Sequence, residues 1–372
     1  MKITRRSLLA GSLGILARAQ ETAKDDWQGV ARVVAVGDVH GDRDALVAVL
    51  QMAGILDGAR HWAGGKSHLV QIGDIPARGP QTREAYDLLM GLEGEALQSG
   101  GMVHPLIGNH DAAIMYGDLR NVLPEEYEEF REAESEARLQ KAFNDEVAAA
   151  RKSGQYPTRA EEIEYFRNSW FERHPPGFVE HRAAFGPTGQ YGSWIRKHNA
   201  VIRINDALFV HGGISPKYVA TARGTINGTI QRELLNPSKL PPGMSTETAG
   251  PLWYRGLAED EERSLETHLR AVLRFHGVSR VVIGHTVTRT AILPRFGGRV
   301  VNIDLGLSRF YGRPPACLVL EGSSAYVLHR GAKVPLPGAK PGEFEAYCRA
   351  IIAADDKPSP VEKLLQSADQ RH

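Results

Sequence analysis

The sequence predicts an α/β protein, two sheets flanked by helices with an inserted helical cap, and three observations predict it. β-branched apolar runs recur along the chain. Polar loops and amphipathic helices follow the early ones, and a charge-dense stretch interrupts the alternation before strands return. The 372 residues are 42% hydrophobic, enough to fill the core of one large domain carrying an insertion.

In order, residues 30–36 read as a strand ending in Gly-Asp, and residues 42–56 follow with helical apolar spacing. Residues 69–72 form the second strand, 81–97 an amphipathic helix, and 102–107 a third strand ending in "GNHD". Strand–loop–helix units of this kind collect functional loops at the carboxyl ends of their strands. At Pro124 the pattern changes: "PEEYEEFREAESEARLQKAFNDEVAAARKSG" reads as solvated helix, helical signals run on through residues 158–173, and "HPPGF" stops them. Residues 123–190 are therefore expected to form a cap over the cleft, burying aromatics such as Phe143 and Trp170. Strands return at 200–204 and 207–210 around an Asn205-Asp206 turn. Helices are expected at 221–235 and 260–276, and strands at 280–283, 299–303, 316–320 and 325–329. A tail, 336–372, carries one short helix near 342–354. Strands on both sides of the cap predict two sheets within a main domain at 30–335.

The first nineteen residues read as a signal peptide. Lys2, Arg5 and Arg6 precede an apolar run at 8–16 and an A-x-A site at Ala17–Ala19, and "TRRSLL" carries adjacent arginines of the twin-arginine type. The expectation is export to the periplasm or beyond, with no membrane span in the mature form, since the run is too short to cross a bilayer. Removing residues 1–19 leaves 41 basic against 44 acidic residues, which argues against a dedicated nucleic-acid binder. Cys317 and Cys348 could pair in an oxidising compartment, although Cys317 sits in a core-like run. Nothing in the sequence specifies an oligomer.

Five polar clusters directly follow apolar strands: Gly37-Asp-Val-His-Gly41, Gly73-Asp74, Gly108-Asn-His-Asp111, His211-Gly-Gly213 and Gly284-His285. Asp, Asn and His are metal-ligand types, and neighbouring glycines let the backbone turn sharply. One such cluster means little. Five at strand ends converge in space.

The ordered set resembles the phosphoprotein phosphatases of the calcineurin-like metallophosphoesterase superfamily, with the pattern GDxHG, GDxVDRG, GNHE, HGG and GH. "GNHDAAIMYGDLR", "LFVHGGIS", "PLWYRG", "VVIGHT" and "NIDLGLS" are similar to the Shewanella-like branch. The resemblance implies a four-layer metallophosphoesterase sandwich with two transition-metal ions, Mn, Fe or Zn, held by Asp38, His40, Asp74, Asn109, His211 and His285. It further implies attack on phosphorus by a metal-bound hydroxide, with Arg78, Asn109, His110 and Arg255 binding the phosphate and His110 as general acid. The substrate would be a phosphoprotein or a small phosphate monoester. A nucleotide or phosphodiester hydrolase on the same fold, or a phosphate-binding pseudoenzyme, remain alternatives.

One departure stands out in "GDIPARG": Ala77 occupies the position of the Asp that, in the family, holds the general-acid histidine. Asp111, in place of the usual Glu, is a candidate catalytic substitute for that partner. Asp304 in "NIDLG" reads either as support for a ligand or as a strand-end turn.

Overall fold

The computed structural model describes residues 24–236, 243–288, 290–312 and 314–369. Residues 1–19, and with them the signal reading, lie outside that range. Among the described residues twelve strands run in chain order: β1 Asp26–Trp27, β2 Arg32–Val36, β3 His68–Gln71, β4 Met102–Pro105, β5 Val201–Ile204, β6 Ala207–Val210, β7 Arg280–Ile283, β8 Leu293–Arg295, β9 Val300–Asn302, β10 Ala316–Glu321, β11 Ser324–His329 and β12 Ala332–Pro335. They build two six-stranded sheets, ordered β1-β5-β6-β7-β9-β8 and β12-β11-β10-β2-β3-β4.

The cap does not divide the strands as the sequence suggests. β10–β12 return to pair with β2, and β1 crosses to pair with β5, so each sheet takes strands from both sides of the insert. Strand β1, at two residues, is too short to show a period, and β8 and β12 each carry a proline, which argues against a strand in sequence.

Alternation along each strand divides its side chains between two cores. Val33, Ala35, Val70, Ile202, Ile204 and Val282 fill the space between the sheets. Val34, Val36, Leu69, Val201, Leu208 and Val281 point outward, where helices Arg43–Met52, Thr82–Gln98 and Glu262–His276 cover them. Asp42 caps the first of these, its carboxylate accepting from Ala45 N at 3.0 Å. Cys317 and Cys348 are both free thiols, buried in different cores.

The insert is five helices, Pro124–Glu128, Ser135–Lys152, Ala160–Arg173, Phe178–Phe185 and Gln190–Ile195. The second and third pack on each other through Leu139, Phe143 and Trp170. The others join the main core: Phe185 and Tyr191 sit against Tyr86, and Trp194 donates to Glu93 at 2.7 Å. Phe185 is fully buried among Tyr86, Phe130, His181 and Tyr191. Phe185→Ala should cost about 3–5 kcal/mol of stability, read by urea denaturation.

Glu126 contradicts the reading of 124–154 as solvated surface, since it is completely buried. Its Oε1 lies 3.1 Å from Nε2 of His181, itself fully buried and ringed by Tyr127, Phe130 and Phe185. Burial pushes the Glu126 carboxyl up to about 8, and pushes His181 down to about 3. The pair is therefore a neutral acid beside a neutral imidazole. A carboxyl whose folded pKa exceeds its unfolded value of 4.5 contributes fully below that value and loses the contribution as pH rises through about 8. Glu126→Gln should flatten the fall in stability across that window, measured by denaturation at several pH values.

Candidate metal centre

Six strands deliver the site at their carboxyl ends. Asp38 and His40 follow β2, Asp74 follows β3, and Asn109 and His110 follow β4; His211, His285 and Asp304 follow β6, β7 and β9. β2, β3 and β4 are parallel neighbours in one sheet, and β6, β7 and β9 are parallel neighbours in the other, so each set of ends shares an edge. Every one of these eight residues is buried.

Three of them, His40, Asp74 and His285, have φ of 48°, 57° and 64°, a left-handed backbone that non-glycine residues seldom adopt and that often marks functional loops. Close approach explains the adjoining glycines. A Cβ on Gly108 would lie 2.3 Å from Asp74 N, and one on Gly284 would lie 2.5 Å from Asp38 Oδ1.

Hydrogen bonding fixes where the imidazole lone pairs point. His211 Nδ1 is 3.1 Å from the Ile72 carbonyl, which places its N–H there and leaves Nε2 as an acceptor. That Nε2 faces Asn109 Oδ1 at 2.9 Å and Asp74 Oδ1 at 3.3 Å. Three acceptors converging without a donor repel one another unless His211 is protonated or a cation lies among them. His40 Nε2 takes a 3.0 Å hydrogen bond from Arg78, whose guanidinium has only donors, and so is also a lone pair. His285 Nε2 is buried with no partner.

The titration tendencies agree for two of the imidazoles, whereas for His211 burial is outweighed by Asp74, which raises it. Burial drives His40 down to about 3 and His285 to about 2, keeping both neutral and able to bind metal. Burial opposes ionisation of Asp74, but His211 and His110 outweigh it and hold its carboxyl well below the usual range. Asp38 is raised by burial and by Asp304.

Two groups of side chains can each hold a cation: His40, Asp74 and His110, and Asp74, His211 and His285. Asp74 belongs to both. The residues thus fit a dinuclear site bridged by one carboxylate, with O and N donors suited to divalent ions. Asp38 stands beside the first group, 3.9 Å from His40 Nε2, and accepts from His285 N at 3.2 Å. Asp304 lies behind Asp38 and also accepts from Gly306 N at 3.0 Å, so it serves as both support and turn.

A cleft of about 460 Å³ opens over this cluster. Arg78, Arg255 and His110 line it. Arg255 is held by the His285 carbonyl at 2.9 Å and Thr286 Oγ1 at 3.0 Å. Sequence reasoning missed the other walls: Trp253, Asp118 and Tyr311, whose hydroxyl also accepts from Arg78. "PLWYRG" and "GDLR" had marked two of these stretches, but nothing local distinguished the individual residues. A larger groove of about 1070 Å³ near residues 258–263 and 337–342 contains none of the five motifs.

Two expectations need correction. Asp111 does not partner the His110 ring. Its Oδ2 accepts from Asp74 N and Gly108 N, each at 2.8 Å, and its Oδ1 from the Tyr86 hydroxyl at 2.5 Å, so it locks the two loops together. Nor does the insert roof the cleft. Among the described residues, those lining it from this part of the chain are Asp118, Arg120 and Asn121, just before the first insert helix, because that insert packs sideways onto the Thr82–Gln98 helix.

Comparison with known proteins bears on the same residues. The profile of the calcineurin-like phosphoesterase family matches residues 31–289. An uncharacterised protein of Schizosaccharomyces pombe is 30% identical over 320 residues, covering 82% of each chain. The Shewanella-like protein phosphatase 2 of Arabidopsis thaliana is 26% identical, over 75% of this chain and 72% of its own. Among solved structures, a cold-active protein-tyrosine phosphatase of a psychrophilic Shewanella species superposes with a TM-score of 0.62 at 26% identity, over 84% of this chain and 82% of that one.

Proposed function

The chain belongs to the calcineurin-like phosphoesterase family, and from that premise we propose that it hydrolyses phosphate monoesters, aryl esters such as phosphotyrosine ahead of alkyl ones. The observation that carries the reading is the meeting of His211 Nε2, Asn109 Oδ1 and Asp74 Oδ1 beneath a cleft walled by two arginines. Two bound ions would supply Lewis acidity to phosphate oxygens and acidify a water as nucleophile. Mn, Fe or Zn suits the mixed donors better than Ca or Mg.

The chain's own groups would do the rest. Arg78 and Arg255 present planar donors to the phosphate oxygens and to the charge that grows on them. His110, buried and lining the cleft, would pass a proton to the departing oxygen, with Asp38 in its stead as the ligand beside His40 and Asp74. With Ala77 offering it no carboxylate, substrates whose leaving group needs little protonation are favoured. Trp253 and Tyr311 give an aromatic ring surfaces to lie against. The solved relative's description as a tyrosine phosphatase supports the same preference. The leader at residues 1–19 supports export to the periplasm by the twin-arginine route.

Chelator-stripped protein reloaded with Mn, Fe or Zn, and assayed on phosphotyrosine, phosphoserine and diester substrates, tests the proposal. Metal-dependent hydrolysis with phosphotyrosine fastest is expected. Faster cleavage of the diester, or turnover indifferent to metal, would overturn it.

A further inference from the structure

Arg78 sits on a backbone that needs outside support. Ala77 and Arg78 both have positive φ, 70° and 65°, an uncommon pairing for consecutive non-glycine residues. The Arg78 N–H is secured by the Asn121 carbonyl at 2.9 Å. The Ala77 N–H, on a residue only 3% exposed, has no backbone partner among the described residues. A buried amide without a partner is costly. The group facing it is the carboxyl of Glu126, which Thr82 also faces, although neither closes a full hydrogen bond to Oε2.

Glu126 comes from the first helix of the insert, and His181, which holds its other oxygen at 3.1 Å, from the fourth. Tyr127, Phe130 and Phe185 surround the imidazole and leave the pair little freedom. Within this aromatic box the carboxyl is fixed from behind, and its free side meets the loop that carries Arg78. Among the described residues Glu126 makes no hydrogen bond or ion pair with His110, so it does not replace the missing Asp at position 77.

We infer that Glu126 and His181 are positioning residues for Arg78: the insert acts on the phosphate site from behind, by setting a buried carboxyl against the Ala77 amide, and not by covering the cleft. This rests on the reading of Arg78 as a phosphate clamp. It also gives a physical role to a pair of buried polar groups that packing alone would replace with apolar side chains.

The test compares two substitutions of similar size in the metal-loaded, full-length enzyme. Glu126→Gln keeps an oxygen for the Ala77 N–H and a donor for His181 Nε2; Glu126→Leu keeps neither and suits the aromatic surroundings. The readouts are competitive inhibition by inorganic phosphate and KM and kcat on p-nitrophenyl phosphate. Glu126→Leu is expected to weaken phosphate inhibition and raise KM by about tenfold, with kcat falling less, while Glu126→Gln stays within about twofold of wild type. In an Arg78→Ala background Glu126→Leu should add under about twofold, because residues acting through one group are not additive.

Equal penalties from Glu126→Leu with and without Arg78, or none at all in a folded protein, would overturn the inference. If Glu126→Leu does not fold, His181→Phe, which removes only the carboxyl's partner, carries the same expectation of non-additivity with Arg78→Ala. If Arg78→Ala itself leaves phosphate inhibition unchanged, the clamp reading has failed, a separate outcome from additivity.

Discussion

Asp74→Asn is expected to leave a folded protein that retains less than its full complement of metal and hydrolyses p-nitrophenyl phosphate at least about 10³-fold more slowly. The size of the effect follows from where the carboxylate lies. Its Oδ1 is 3.3 Å from His211 Nε2, and its Oδ2 is 3.9 Å from both His40 Nε2 and His110 Nε2. It is the residue common to both candidate cation groups. An amide there keeps the shape but removes the charge that faces His211 and would be shared by both cations. It also sets an NH₂ among groups that a cation should bind. The backbone would be little disturbed, because an Asn side-chain oxygen can still accept from His110 N, as Oδ1 now does at 2.7 Å. Elemental analysis and rate measured on one preparation check both halves. Full metal content with an unchanged rate would remove Asp74 from the centre of the mechanism.

The second large effect concerns the leaving group. Phosphoserine peptides should turn over more slowly than phosphotyrosine peptides, and Ala77→Asp should narrow that gap by about tenfold, within the 10²–10⁴ range of general-acid catalysis. The family resemblance places a carboxylate at position 77 to hold the histidine. Here the neighbouring Asp111 cannot take over, since Tyr86, Gly108 and Asp74 engage its oxygens. Asp is tolerated at the positive φ of Ala77 better than most residues. The substitution would nevertheless place a second carboxyl close to buried Glu126, so it is best made together with Glu126→Gln. The ratio of kcat/KM on the two peptides is the readout. Equal gains on both, or none, would mean that His110 is held by other means.

How much of this was legible beforehand differs from residue to residue. Asp38, His40, Asp74, Asn109, His211 and His285 could be picked out because each follows a buried strand and adjoins a glycine, and those local features survive in one dimension. Trp253, Tyr311 and Asp118 could not, because they qualify only by facing a cleft assembled from distant loops. Glu126 was misread for the same reason: in a run of Glu and Arg it looks solvated, and only the folded insert shows it sealed against Ala77 and His181.

By itself, then, the sequence determined the α/β class and the gathering of Asp, Asn and His at strand ends, since periodicity, residue type and spacing express backbone and donor chemistry directly, while the gap at Ala77 is implied by the family resemblance. Tertiary structure alone decided that β10–β12 rejoin the first strands, that Asp111 locks loops, and that the insert packs sideways and buries Glu126 beside His181. Those outcomes depend on which surfaces meet across long stretches of chain. A contact energy between residues a hundred positions apart leaves no local pattern in either stretch.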